Sequence, residues 1–192
     1  MDIDAVVARC GILIGLDRAG RFEHAGTAWA VGRGEWITSW TQEQPPGSEM
    51  RLMSARDGAI GEIRDWEQDA GIAGFVSLDV GAALAPARDV EAVLTKRARL
   101  WALGFPSVID HPAFRLHRGS LTAERYYPYL CPWTVSGHLA LFTADDGYLA
   151  GRCYPGMEGG PVLNERDEVV GLLLGGDGGF DHPPLARFRR VD

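Results

Sequence analysis

Short apolar runs separated by turn residues dominate this sequence and limit it to a few kinds of fold. Runs of strand length include "CGILIGLD" near the start and "EVVGLLLGG" near the end. The Gly32-Arg33-Gly34 and Asp57-Gly58 turns each predict a hairpin between two such runs. Helical periodicity is rare along the chain. Many short strands with little helix predict an all-β protein built from barrels or a sandwich.

One segment interrupts the strand pattern near the middle of the chain. Residues 81–98, "GAALAPARDVEAVLTKRA", contain a proline, several small residues and a weak helical spacing. We interpret this segment as the crossover between two halves, with residues 1–85 forming the first half and residues 86–192 the second. The run "PLARFRRV" at residues 184–191 predicts a short C-terminal helix.

Charge and composition exclude several classes of function. The net charge of −7 argues against nucleic acid or an anionic membrane surface as partner. The first ten residues are acidic where a signal peptide is basic, and no apolar stretch is long enough to span a bilayer, so we expect a cytoplasmic protein. We interpret the basic cluster Arg187, Arg189 and Arg190 as a solvated face.

Three cysteines give no sign of a metal site or a disulfide framework. Cys10, Cys131 and Cys153 are an odd number and lack CxxC spacing. We therefore expect no metal and no cofactor, and reduced thiols of a bacterial cytosol. Pairing of Cys131 with Cys153 stays open, because it depends on the fold.

Four segments, taken in order, resemble the trypsin-like (chymotrypsin-fold) serine peptidases. They are "AGTAWAVGRGEWITSWT" from residue 25, "GIAGFVSLDV" from residue 71, "LWALGFPS" from residue 100 and "YPGMEGGPVLN" from residue 154. The last resembles the nucleophile loop, Gly-Asn-Ser-Gly-Gly-Pro, and is the most specific. The resemblance implies two packed antiparallel six-stranded β-barrels with a cleft between them.

The resemblance also locates the three catalytic positions, and each holds an unsuitable residue. The histidine position falls at Thr41, the aspartate position at Gly71 and the serine position at Glu158. Acyl transfer by this triad needs an activated hydroxyl, a base and a carboxylate that orients the base. Thr41 is no base near neutral pH, Gly71 has no side chain, and Glu158 is a poor acyl-transfer nucleophile. We expect a degenerate triad with no catalytic residue.

The glycine-rich frame of the last segment still predicts a tight loop at the cleft. The resemblance implies that the backbone N–H groups of Gly156 and Glu158 form an oxyanion-hole-like pair. The rest of this cleft loop is Met157, Gly159, Gly160 and Pro161. Clustered N–H donors bind anions. We therefore expect the Glu158 carboxylate either to fill this donor site or to stand at its mouth.

These observations favour a pseudoprotease, an inactive homologue that binds a protein or peptide partner or has a regulatory role. Peptidases of this fold bind extended segments by strand addition, which needs no triad. One alternative is a noncanonical hydrolase in which Glu158 acts as general base beside Asp145, Asp146 or His138. Another is a peptidase with a rearranged triad, for which Asp69 and His24 are the candidates in the first half.

Overall fold

The computed structural model describes residues 1–16, 22–40, 50–94, 97–106, 132–177 and 184–191. Within these ranges the chain forms two short helices and thirteen strands. The helices are α1 (Ile3–Val7) and α2 (Val90–Leu94). The strands of the first half are β1 (Cys10–Leu16), β2 (Phe22–Ala30), β3 (Glu35–Ser39), β4 (Arg51–Ser54), β5 (Ile60–Glu62), β6 (Arg64–Asp69) and β7 (Ile72–Val76). Those of the second half are β8 (Arg99–Gly104), β9 (Trp133–Phe142), β10 (Asp146–Ala150), β11 (Pro161–Leu163), β12 (Val169–Asp177) and β13 (Leu185–Arg190).

The chain is mostly β, and neither α1 nor α2 has the length and apolarity that a membrane-crossing helix needs.

The first half folds into an open antiparallel sheet of seven strands. Its order is β5-β4-β1-β2-β3-β7-β6, and the two expected hairpins, β2–β3 and β4–β5, are present. The expected closed six-stranded barrel is therefore only half formed here. Strands β5 and β6 are the two edges, and Ile63 alone separates them along the chain. The covalent chain thus joins the two edges, where a closed barrel would have a ladder of hydrogen bonds.

The second half folds into the closed six-stranded barrel that the sequence predicts. Its order is β10-β13-β12-β11-β8-β9, and β9 pairs back with β10 to close it. The C-terminal helix expected at residues 184–191 is wrong. Those residues form β13, which pairs with both β10 and β12. Ala186 and Phe188 are buried while Leu185, Arg187 and Arg189 are only partly buried, so the run has the period of two that a strand requires.

The two halves share an apolar core. Ile12 and Ile14 of β1 pack with Leu103, Phe105 and residues of β11 and β12 in one cluster. Leu13, between the two isoleucines, instead packs inside the first sheet with Trp36 and Phe75. Strand β1 therefore contributes one face to each cluster, which fixes the first sheet against the barrel.

Strand β7 ends at Val76 and β8 begins at Arg99, and α2 lies in the connection between them. Ala85 and Ala87 already exchange hydrogen bonds with Val169 of β12, at 2.8 Å each. Division of the chain between residues 85 and 86 stays a prediction.

Candidate functional site

The loop Tyr154–Pro161 lies between the two halves and is held by backbone hydrogen bonds from both. On one side, the Thr27 N–H of β2 donates to the Glu158 carbonyl at 2.8 Å, and the Thr27 hydroxyl donates to the Gly156 carbonyl at 2.8 Å. On the other side, the Gly159 N–H donates to the Leu173 carbonyl of β12 at 2.7 Å. The loop is therefore a junction that main-chain groups of residues 156, 158 and 159 tie to both halves.

Two glycines allow the loop to turn this sharply. Gly156 has φ of 93° and Gly159 has φ of 86°, a region that residues with a Cβ rarely adopt. Met157, between them, points its side chain into the barrel core and is fully buried. Gly159, Gly160 and Pro161 are buried as well, so Glu158 is the partly exposed residue of the expected cleft loop.

The Glu158 side chain folds back onto its own loop. Its Oε2 accepts a hydrogen bond from the Gly156 N–H at 2.5 Å. The carboxylate therefore occupies one of the two donors that the sequence analysis assigned to an oxyanion-hole-like pair. The carboxylate thus lies against the loop backbone and bonds the Gly156 donor of that pair. Such a bond between a charged acceptor and a backbone donor is among the stronger hydrogen bonds in proteins.

Strand β12 provides the space in which Glu158 lies. A Cβ placed on Gly175 would stand 3.7 Å from Glu158 Cγ and 3.8 Å from Oε1. Gly175 thus lines the Glu158 side chain, and Gly176, next along β12, faces Cys153. The site consequently has a wall of two glycines on one side and the loop backbone on the other.

Cys153 is a free thiol beside Glu158. Burial, together with the nearby Glu158 carboxylate, raises the pKa of the Cys153 thiol to about 12. Because the thiolate is the reactive form, Cys153 is a poor nucleophile at neutral pH. Its predicted alternative partner, Cys131, lies outside the described residues.

We expect Glu158→Gln to raise the rate at which iodoacetamide alkylates Cys153. The substitution removes a negative charge that disfavours the thiolate, while the burial that contributes most to the shift remains. An increase of about threefold to tenfold is expected for one partly screened charge. Mass spectrometry of the Cys153 peptide across a pH series measures it. Glu165→Gln is the control, and equal rates in both variants would place the Glu158 carboxylate away from Cys153.

Gly71, the position expected for a catalytic aspartate, lies in a tight turn and has no side chain. Ala70 and Gly71 connect β6 to β7 with φ of 48° and 84°, and the Gly71 carbonyl accepts from the Trp40 N–H at 2.9 Å. Gly71 thus lies beside the residue that precedes Thr41. Thr41 itself lies outside the described residues.

An arginine from the barrel reaches this turn, which the sequence analysis did not foresee. Arg189 of β13 donates from Nη1 to the Ala70 carbonyl at 2.6 Å and from Nε to Asp146 Oδ1 at 2.9 Å. Arg187 donates to the other oxygen of Asp146, at 2.6 Å from Nη2. The expected solvated face of arginines is therefore wrong for this pair. The signal that could have found it is the Arg-Phe-Arg alternation, which places both arginines on one face of a strand.

Asp146 is the centre of this cluster and is only 8% exposed. Burial alone would raise the pKa of its carboxyl, but hydrogen bonds and charge from Arg189 and Arg187 outweigh burial and hold the pKa below its usual value. The cluster links β10, β13 and the turn at Ala70.

The residues of the two enzymatic alternatives do not assemble around Glu158 in the described part of the chain. Asp146 is bound by two arginines. His138 lies on β9 opposite Arg99, outside the barrel core. Asp145 is exposed in the turn before β10, and Asp69 is exposed at the end of β6. The side chain of His24 lies outside the described residues.

The fold of this chain is similar to that of solved protease structures. No family model and no curated protein matches the sequence. The active form of the Rv3671c protease from M. tuberculosis superposes with a TM-score of 0.69 at 11% identity, over 98% of this chain and 78% of that one. A Glu endopeptidase structure gives 0.62 at 10% identity, over 93% and 83%. At these identities the likeness establishes a trypsin-like fold.

Proposed function

We propose that this chain, which has the trypsin-like fold, is a non-catalytic homologue of serine proteases that binds an extended segment of a partner protein in its cleft. The observation that carries the proposal is the hydrogen bond from the Gly156 N–H to Glu158 Oε2. A carboxylate in this place already occupies a donor that an acyl-transfer reaction would need for its developing oxyanion. It would also repel that negative charge.

The chemistry of the three triad positions supports the same conclusion. Thr41, Gly71 and Glu158 supply no base, no orienting carboxylate and no hydroxyl nucleophile. Loss of a complete triad lowers turnover by roughly a millionfold in a serine protease. Arg189, which donates to the Ala70 carbonyl next to Gly71, brings a cation to the turn where the triad would place a carboxylate.

An open strand edge beside Glu158 supports the binding part of the proposal. Strand β12 pairs with β13 from Gly171 to Asp177. On its other side, β11 pairs only with Val169 to Leu172. In the described residues, the end of β12 around Gly175 has no strand on that edge. An extended peptide can add there by main-chain hydrogen bonds, with its side chains directed toward Glu158 and Cys153.

A phosphonate probe directed at serine nucleophiles tests the loss of catalysis. We expect no covalent adduct on the wild-type chain, and none on Glu158→Ser, because a hydroxyl at residue 158 would still lack a base. Intact-mass measurement detects any adduct, with an active trypsin-like protease as the positive control. An adduct on either form would overturn the proposal, and Glu158-dependent hydrolysis of peptides or esters would favour the noncanonical hydrolase.

A peptide array tests the binding mode. We expect extended peptides of eight to twelve residues selected on the array to lose affinity by about tenfold or more when alternate backbone nitrogens are methylated, because strand addition uses those donors. The matched control methylates the intervening nitrogens, which face away from the edge. Equal loss in both series, or no selected peptide, would contradict strand addition while leaving the phosphonate result unaffected.

A further inference from the structure

We propose that a cavity on the outer side of the barrel, which has no residue of the Tyr154–Pro161 loop in its lining, binds a small organic anion that carries two or more phosphate groups. The cavity has a volume of about 660 Å³, within the range of small-molecule sites. Three segments surround it: the stretch from Ala87 to Val93, the start of β8 with β9 beside it, and the turn between β11 and β12.

Four arginines from these three segments line one cavity. They are Arg88 before α2, Arg97 and Arg99 around the start of β8, and Arg166 in the β11–β12 turn. All four are exposed, and among the described residues none of their guanidinium groups has a hydrogen bond or an ion pair. In a chain with net charge −7, unpaired guanidinium groups converging on one concavity are unusual and favour an anionic ligand.

Contacts with neighbouring groups hold two of these arginines in place. The Arg99 guanidinium carbon lies 5.2 Å from the centre of the Trp101 ring, a cation–π contact that limits its movement. Arg99 is also directly opposite His138 in the β8–β9 ladder, so both side chains lie on one face. The Asn164 side chain accepts from the N–H groups of Arg166 and Glu168 at 2.8 and 3.1 Å, which fixes the turn that carries Arg166.

The remaining lining residues narrow the ligand class. Asp89, Glu165 and Glu168 also face the cavity, so four guanidinium groups stand against three carboxylates. A lone phosphate would leave most of the volume empty, and the Glu168 carboxylate already accepts a hydrogen bond from Asn164 Nδ2 at 2.8 Å. A phosphorylated molecule that also carries a hydroxyl or amino group would match this lining, with its phosphates on the arginines and the hydroxyl or amino donor on the Glu165 carboxylate.

Calorimetric titration of the full chain tests this site with three probes: pyrophosphate, citrate and ADP. We expect pyrophosphate and ADP to bind, and citrate to bind at least about tenfold more weakly, because its carboxylates carry less charge per group. The double variant Arg88→Gln/Arg99→Gln should lose at least about tenfold in affinity for pyrophosphate. Glu165→Gln, which removes a repelling charge from the rim, should instead bind more tightly.

Arg64→Gln is the matched control, because Arg64 is an exposed arginine on β6 with no ion pair among the described residues and does not line the cavity. Thermal unfolding establishes that each variant is folded. The proposal is overturned if pyrophosphate fails to bind the wild type at millimolar concentration, or if the double variant and Arg64→Gln bind alike. Equal affinity for citrate and pyrophosphate would overturn the phosphate preference.

Discussion

Gly159→Ala is expected to lower the free energy of unfolding by about 3 kcal/mol or more, among the largest effects of a single methyl group. A Cβ at this position would collide with the Thr27 carbonyl and the Thr38 hydroxyl, and would lie 2.9 Å from the Ser39 backbone nitrogen. These groups belong to β2 and β3, and the Thr38 hydroxyl already donates to the Thr27 carbonyl at 2.7 Å. None of them has room to move.

Gly81→Ala separates this collision from the strain of the backbone itself. Gly81 has φ of 89°, close to the 86° of Gly159, and no atom lies within 4 Å of its hypothetical Cβ. We expect Gly81→Ala to cost about 1 kcal/mol, from the left-handed conformation alone. Urea unfolding of both variants measures the difference. Equal losses would mean that the Tyr154–Pro161 loop is not wedged against β2 and β3 as described.

Asp146→Asn is expected to destabilise the fold by about 2 to 3 kcal/mol at neutral pH, because it removes the buried carboxylate charge that Arg187 and Arg189 both bind. The loss is at the low end of the range for a buried ion pair because the Arg187 side chain is 40% exposed and solvent screens its charge. Asp145→Asn is the control, because Asp145 is adjacent and exposed. Chemical unfolding near pH 7 measures both, and equal stabilities would contradict the cluster.

The same cluster predicts how stability depends on pH. The folded-state pKa of Asp146 is below its unfolded value. Its contribution to stability is therefore complete above the unfolded pKa, near pH 4, and is lost as the pH falls through the lower folded pKa. Wild type should lose more stability than Asp146→Asn between about pH 5 and pH 2. Parallel curves for the two proteins over this range would show that the carboxylate is not held by Arg187 and Arg189.

The all-β class and the hairpins could be predicted because they depend on local patterns, whereas the closed barrel was implied by the resemblance to trypsin-like peptidases. Alternating apolar residues and turns such as Asp57-Gly58 act over a few positions. Closure of the first sheet was implied by the resemblance and is not found, because closure depends on whether the edge strands β5 and β6 pair with each other in three dimensions. The run at residues 184–191 is a strand although a helix was expected, and the alternation of Ala186 and Phe188 with arginines is the short local signal for that strand.

Some features of the candidate site could be predicted from local sequence, and others depend on contacts between distant residues. The glycine frame and the carboxylate at residue 158 were visible in the sequence, and the two arrangements considered for Glu158 included the one observed. The contact from Arg189 to Ala70 joins residues 119 positions apart. No local pattern contains such a contact. The two-glycine wall of β12 beside Glu158 was missed for the same reason.

The backbone hydrogen bonds of the Tyr154–Pro161 loop have a consequence for how such sequences evolve. Thr27 and Leu173 bind the loop through main-chain groups of residues 156, 158 and 159, whatever side chain residue 158 carries. A folded junction between the two halves therefore needs the glycine frame whether or not the chain is a catalyst. The frame taken alone identifies the fold of this loop and not a hydrolase activity.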